Sequence, residues 1–420
     1  MKKNILCAAA FFLSLTLLLP LFGGCRPAEP TGADPVSETV ADSGTDPVLT
    51  DGETETEEVT EEETTAPEEE KRISFVCAGD NVIHPGIYLD AAERAQQSGS
   101  SKEYDFLPMY EEVADLIRGA DVSFINQETL MCGAAFGYSG YPQFNSPQQL
   151  GNDLCELGFD VVAIANNHMC DKGADGLAGT ISFWKSLSDR TLMIGGYENE
   201  ADYNTVRLIE RDGVKIAFLA YTYGTNGLTL YNTDIVVPYL NEEDILRQTT
   251  MAKEQADMVI VSMHWGDDSV QAVTEKQRYY AQLLADCGVD VIIGHHPHLI
   301  QPIEWFEGRT GNRTLCIFSL GNLLSEMAEA HNMVGGFLTF DAVYAGKKTR
   351  IENVVFLPTV FFFNSRYHGT HVYFMENFSE ELAGKHGVAW CYQNPISYEE
   401  MKSYTRSIIG REFLPDWINE

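Results

Sequence analysis

From residue 71 onward, short apolar runs alternate with stretches of helical periodicity. Residues 73–78 form an apolar run that stops at Gly79-Asp80, which is the pattern of a buried strand. Five more runs behave alike. Residues 121–126 lead to Glu128, 160–165 to Asn166-Asn167-His168, and 258–263 to His264. Residues 289–293 lead to Gly294-His295-His296-Pro297-His298, and 315–318 to Ser319-Leu320-Gly321-Asn322. Helical patterns fall at 108–119, 147–157, 174–187, 241–256 and 273–287. Strands alternating with helices predict an α/β architecture with largely parallel strands. Residues 205–210 and 216–221, on either side of Arg211-Asp212-Gly213, predict an antiparallel hairpin. Further strand-like runs follow from about residue 335 and are assigned to a C-terminal extension over 335–420.

The chain before residue 71 reads differently. Lys2 and Lys3 precede an apolar run over 5–22, and Phe22-Gly23-Gly24 leads into Cys25. Residues 1–24 are therefore expected to be a secretory signal. The small residues before Cys25 resemble a lipoprotein signal, which implies cleavage before Cys25 and lipid attachment to it. An ordinary cleaved signal and an uncleaved N-terminal anchor are the alternatives. All three place the rest of the chain outside the cytoplasmic membrane, and lipidation holds it on the membrane's outer face, at the bacterial cell surface. Residues 26–70 hold sixteen Asp and Glu against one Arg, with Thr and Pro and no periodicity. Such a segment is expected to be a disordered acidic tether. The folded domain is then 71–420.

Charge and cysteine usage narrow the function classes. With 28 Lys and Arg against 62 Asp and Glu, the chain carries a formal net charge of −34. That excludes sequence-independent nucleic-acid binding, which needs a basic footprint, and gives no attraction to anionic lipid. Beyond Cys7 and Cys25, the cysteines Cys77, Cys132, Cys155, Cys170, Cys287, Cys316 and Cys391 are scattered, with no Cys-x-x-Cys pair. A disulfide framework is not expected. The sequence holds no Walker-type phosphate loop, so ATP-driven polymerisation is not this chain's own activity.

The chemistry gathers at the strand ends. An Asp or Asn after one strand is usually a turn former or a helix cap. Here Asp80, Glu128, Asn167-His168, His264 and His296-x-His298 each follow a different strand. Of ten histidines, six (His84, His168, His264, His295, His296 and His298) fall in these segments. In open α/β sheets, sites form just beyond such ends. Carboxylate, amide and imidazole together suit a divalent transition metal such as Mn, Fe or Zn, and the inventory is sufficient for two ions. Residues two apart on an extended segment point the same way, so His296 and His298 are expected to meet one centre. By the same logic His295 faces away and is expected to be structural.

Six of these motifs, in order over residues 73–325, carry a family resemblance. Gly79-Asp80, Asn126-Gln127-Glu128, Ala165-Asn166-Asn167-His168 with Asp171 and Gly173, His264-Trp265-Gly266, Gly294-His295-His296-Pro297-His298 and Ser319-Leu320-Gly321-Asn322 resemble the CapA, or poly-gamma-glutamate capsule-synthesis, family. That family in turn resembles calcineurin-like metallophosphoesterases, which implies a metallophosphoesterase-like sandwich of mostly parallel sheets flanked by helices. The resemblance implies Asp80, Glu128, Asn167, His264, His296 and His298 as metal ligands, with Glu128 bridging two ions. It implies His168 as the catalytic acid. His84, Asn166, Asp171 and Asn322 are expected to support the site or contact substrate. Two positions depart from the phosphoesterase pattern: the first histidine is His84, four residues after Asp80, and the bridging position holds Glu128 rather than Asp.

The function so implied is metal-dependent hydrolysis of a phosphoester in capsule biosynthesis, with membrane-bound synthesis machinery as partner. Two other classes stay open. One is a non-catalytic accessory that binds or guides an anionic polymer. The other is a metal-dependent amidase or peptidase acting on the polymer or on cell wall.

Overall fold

The computed structural model describes residues 70–346 and 348–419. Residues 1–69, which hold the expected signal, Cys25 and nearly all of the tether, lie outside the described residues. In chain order the strands are β1 (Lys71–Asn81), β2 (Val122–Gln127), β3 (Val161–Ala163), β4 (Leu192–Ile194), β5 (Arg207–Arg211), β6 (Val214–Thr222), β7 (Met258–His264), β8 (Val291–His295), β9 (Ile303–Glu307), β10 (Arg313–Ile317), β11 (Asn322–Leu324), β12 (Val334–Ala345), β13 (Lys348–Phe362) and β14 (His371–Phe374). The main helices of the motif-bearing part are α1 (Pro85–Ser98), α2 (Ala114–Gly119), α3 (Gln149–Leu157), α4 (Gly173–Lys185), α5 (Glu200–Tyr203), α6 (Glu242–Gln255) and α7 (Glu275–Asp286).

Two sheets form. The larger runs β14-β13-β12-β1-β2-β3-β4, with β11 paired beside the end of β1, and the smaller runs β5-β6-β7-β8-β10-β9. Pairing is parallel along β1-β2-β3-β4 and along β6-β7-β8-β10. Antiparallel strands flank both parallel blocks. The expected α/β architecture is present, as is the expected hairpin, β5 with β6.

The period of two along the smaller sheet explains the layering. Ile216, Phe218, Ile260, Val291, Ile293 and Ile317 enter a core shared with Phe75, Phe124 and Val161 of the larger sheet. Their alternates Ala217, Leu219, Val259, Val261, Ile292 and Cys316 pack instead with Ile245 and Ala252 of α6 and Ala281 and Leu284 of α7. Strands buried on both faces read as continuous apolar runs, which is why β2 and β7 were legible: every residue of each is buried.

Several elements differ from the sequence reading. The helix expected over 108–119 is α2 alone, preceded by a 3-10 turn at Leu107–Met109. The tail holds a long hairpin, β12 with β13, that lies against β1. It is followed by four short helices, α8 (Glu380–Lys385), α9 (Gly387–Cys391), α10 (Tyr398–Ile408) and α11 (Asp416–Asn419). The seven described cysteines are free, as expected. No helix among the described residues is long and apolar enough to cross a membrane.

Two glycines let the strand ends converge. A Cβ on Gly79 would lie 2.1 Å from the Gly321 carbonyl oxygen, and one on Gly294 would lie 2.0 Å from that of Phe318. Backbone oxygens cannot yield as a flexible side chain can. Gly79→Ala is expected to destabilise the fold by about 2 kcal/mol or more, in the range of overpacking costs, read as a lower urea midpoint. Gly119→Ala, which meets nothing within 4 Å, is expected to leave the midpoint unchanged or slightly raised.

A second test concerns pH. Asp290, at the entry to β8, accepts the Val259 N–H at 2.8 Å, and burial pushes its carboxyl up to about 6. The folded state therefore binds this proton more tightly than the unfolded chain does. Its contribution is full below about pH 4 and is lost as pH rises through about 6. Asp290→Asn keeps the acceptor, and is expected to be more stable than the parent at pH 7.5 by on the order of 1–2 kcal/mol. The difference should vanish by pH 4 in denaturant titrations.

Candidate metal centre

The parallel blocks of the two sheets end side by side, and their strand ends deliver the expected residues to one place. Asp80 is the penultimate residue of β1, Glu128 follows β2 and Asn167 follows β3. From the smaller sheet, His264 closes β7 in register with His295 of β8. His296 and His298 follow β8 directly.

Two sets of ligand-type atoms result, one from Glu128, His264 and His296, the other from Asp80, Glu128 and His298. Within each set the atoms lie within 4.8 Å of one another, and all five residues are buried. Glu128 belongs to both, as a bridging carboxylate must. Asn167 joins the first set: its Oδ1 lies 3.0 Å from His264 Nε2.

The extended segment expected between His296 and His298 is absent. Both residues have positive φ, +99° and +56°, an uncommon conformation for side chains with a Cβ. The bend sends the two imidazoles to different sets rather than to one position. The expectation for His295 also needs correction. It does not face away: its Nδ1 lies 3.1 Å from Asp80 Oδ1. Asp80 Oδ1 also accepts the Asn126 amide at 2.8 Å, and Oδ2 accepts the His296 backbone N–H at 3.2 Å.

Supporting residues fall around this core. Asn322 Oδ1 lies 2.9 Å from His298 Nδ1. Asn166 ties the loop down, giving its amide to the carbonyls of Gln127 and Ile164 and accepting the His168 N–H at 3.0 Å. His168 Nδ1 lies 2.8 Å from Asp171 Oδ2, which also accepts the Phe144 N–H at 2.7 Å. The Asp171 oxygen that accepts the Phe144 N–H makes Nδ1 the nitrogen that donates to it, so Nε2 is the one left for the cleft. The Phe144 ring meets His168 edge-on at 4.7 Å. His84 enters neither set. Its Nδ1 accepts the Glu326 N–H at 3.2 Å, and it lines the adjoining cleft.

Burial and mutual charge shift the groups of this pocket strongly. Burial would raise the Asp80 carboxyl, yet hydrogen bonds and charge from His295 and His298 hold it well below the usual range. His298 is pushed up to about 10: burial opposes its charge, but Glu128 and Asp80 outweigh that. Burial drives Glu128 well above the ordinary carboxylate range against the opposing charge of His298, with Asp80 adding to the rise. Burial also drives His264 well below its ordinary value and His296 down to about 3. The nearest imidazole nitrogens, of His298 and His264, stand 3.4 and 3.8 Å from Glu128 Oε1. Neither Glu128 oxygen has a hydrogen-bond partner, nor do the Nδ1 atoms of His264 and His296. Native proteins rarely leave buried polar atoms so. Two carboxylates, three imidazoles and an amide oxygen fit divalent transition ions.

Sequence reasoning missed Asn126 and His295 as site residues. Asn126 had a signal, since it lies two residues before Glu128 on the same strand face. Tyr223, whose ring lies 4.5 Å from His296, and Asn226, whose Oδ1 accepts the Asn167 amide at 3.3 Å, sit in a loop with no periodic pattern.

Fold and pocket together define a two-sheet α/β protein with a carboxylate- and imidazole-lined pocket at its strand ends, suited to divalent metal. A family model for the bacterial capsule synthesis protein PGA_cap matches residues 74–327, and the chain belongs to this family. It is 33% identical over 174 residues to the PGA biosynthesis protein CapA of Bacillus subtilis (strain 168), covering 41% of this chain and 44% of that protein. It is 31% identical over 174 residues to the capsule biosynthesis protein CapA of Bacillus anthracis, covering 40% of this chain and 41% of that one. The matches thus span less than half the length of these relatives. Among solved structures, the NAD nucleotidase of Haemophilus influenzae aligns over 69% of this chain and 52% of its own, at 13% identity and a TM-score of 0.41.

Glu128→Gln removes the buried carboxyl that no hydrogen bond satisfies. Without added metal, it is expected to raise the thermal midpoint by a few degrees, the usual exchange of site function for stability. The parent is expected to gain stability when Mn, Fe or Zn is added, and the variant to lose most of that gain. Calorimetric scans with and without metal check both.

Proposed function

We propose that this protein is a metal-dependent hydrolase serving capsule-polymer synthesis, with a phosphoester as the bond cleaved. The observation that carries the proposal is Glu128, buried, without a hydrogen-bond partner at either oxygen and common to the two ligand sets. Asp80, His298 and Glu128 would hold one divalent ion, and Glu128, His264, His296 and Asn167 a second. When bound, the ions supply Lewis acidity to water and positive charge to the oxygens of the scissile group. Asn126 and His295 orient Asp80, and Asn322 orients His298. His168, held through Nδ1 by Asp171, presents Nε2 to the cleft; as the imidazolium, protonated at both nitrogens, it gives the Nε2 proton to the leaving oxygen and is left neutral with Nδ1–H on Asp171. The capsule role is supported by family membership and by the names of the Bacillus relatives.

Placement at the cell surface is part of the same proposal. The signal-like run, Cys25 and the acidic stretch support a lipid anchor on the outer face of the cytoplasmic membrane, with the tether holding the domain away from it. Synthesis machinery in the membrane would then be the partner. Labelling intact cells with a membrane-impermeant reagent, before and after Cys25→Ser, tests this: the parent is expected in the membrane fraction and the variant in the medium.

For the chemistry, His168→Asn is expected to lower kcat on bis-p-nitrophenyl phosphate by about 10²–10⁴-fold, the usual weight of general acid–base catalysis. Metal content should be retained. Asp80→Asn and His296→Ala are expected to abolish metal-dependent turnover. Unchanged hydrolysis in these variants would contradict the proposal. Turnover of a gamma-glutamyl anilide in place of the ester would favour the amidase reading.

A further inference from the structure

The cleft that opens beside the centre has a volume of about 440 Å³. His168, Asn167 and His298 form its floor, so a ligand held at the centre extends into it. The character of its other walls therefore bears on what the rest of that ligand is.

Those walls come from segments far apart in sequence: Tyr141 and Phe144 from the β2–α3 connection, Asn226 after β6, Asp268 after β7, and Met327 after β11. The chain has 28 Lys and Arg, yet among the described residues none lines this cleft. Arg366 lines a neighbouring pocket instead, with His84 as the shared wall. Asp268 is the charged wall residue beyond the centre. It is exposed and free to meet a ligand, and its Oδ1 accepts the Ser269 hydroxyl at 2.8 Å. Its charge acts on Glu128, His296, His298 and Tyr223, so it is electrostatically part of the site. Tyr141 is 76% exposed at the cleft mouth, and aromatic faces attract ammonium groups.

We infer that the cleft takes a ligand whose portion beyond the metal-held group carries an ammonium rather than a second anion, with Asp268 as the residue that selects it. This rests on the metal-centre reading above, because the ions must hold the ligand's anionic end. An additional carboxylate or phosphate on the distal portion would face Asp268 with no Lys or Arg on the cleft walls to compensate it. A like charge so placed costs affinity, and an opposite one adds it. The selection is therefore one of charge sign at a single wall, and it weakens with salt.

Calorimetric titration of the metal-loaded 71–420 domain tests this with three probes: inorganic phosphate, phosphocholine and 3-phosphoglycerate. Because Asp268 is exposed, its replacement leaves the fold intact. Phosphocholine is expected to bind at least tenfold more tightly than 3-phosphoglycerate at low salt. Asp268→Asn is expected to bring the two within about twofold. Equal affinities in the parent, a preference for 3-phosphoglycerate, or an unaltered ratio in Asp268→Asn overturns the inference while leaving the metal centre standing. Failure of inorganic phosphate to bind would overturn the metal-centre reading and this inference with it.

Discussion

A carboxyl buried without a hydrogen-bond donor is expensive to ionise, and Glu128, which has none at either oxygen, is driven well above the ordinary carboxylate range by its burial. Much of the molecule is arranged to put it there. Its neighbours on the larger sheet, Asp80 and Asn167, and on the smaller, His264, His296 and His298, come from strands that meet only because the two sheets share one core. An ion between these groups would turn the cost of burial into binding energy. The folded domain would then be stabilised by its metal in proportion to how poorly the pocket stands without it.

That arrangement depends on close backbone approach. Gly79 and Gly294 stand immediately before Asp80 and His295, and each packs against a carbonyl of the 318–321 segment. The Ser-Leu-Gly-Asn motif is the other half of that contact. Asp80 N–H donates to the Gly321 carbonyl at 2.8 Å, and Asn322 reaches His298. Motifs separated by more than two hundred residues are thus parts of one packing arrangement, and the positive φ of His296 and His298 belongs to it.

Much of this was legible in sequence for a specific reason. Strands buried on both faces read as unbroken apolar runs, so their ends, and the polar residues there, stand out in β1, β2, β7 and β8. Other features were not legible. The extended-chain rule misplaced His295 and merged His296 with His298, because a bend with positive φ leaves no mark in residue type when the residues are histidines. The β12–β13 hairpin was blurred because its pairing with β1 is remote in sequence and because its burial is mixed, exposed to half-buried over the first part of β13 and buried only toward its end. Asn226 and Asp268 lie in loops, where position is set by the frame around them rather than by any local period.

The central claim is that Glu128 bridges two ions. The most direct test is elemental analysis of residues 71–420, purified without a metal-affinity tag and reconstituted with Mn, Fe or Zn, beside the His296→Ala/His298→Ala double variant. The account predicts about two divalent ions per chain in the parent and loss of both in the variant. A parent that binds no metal after reconstitution, or a variant that keeps the full complement, would contradict it.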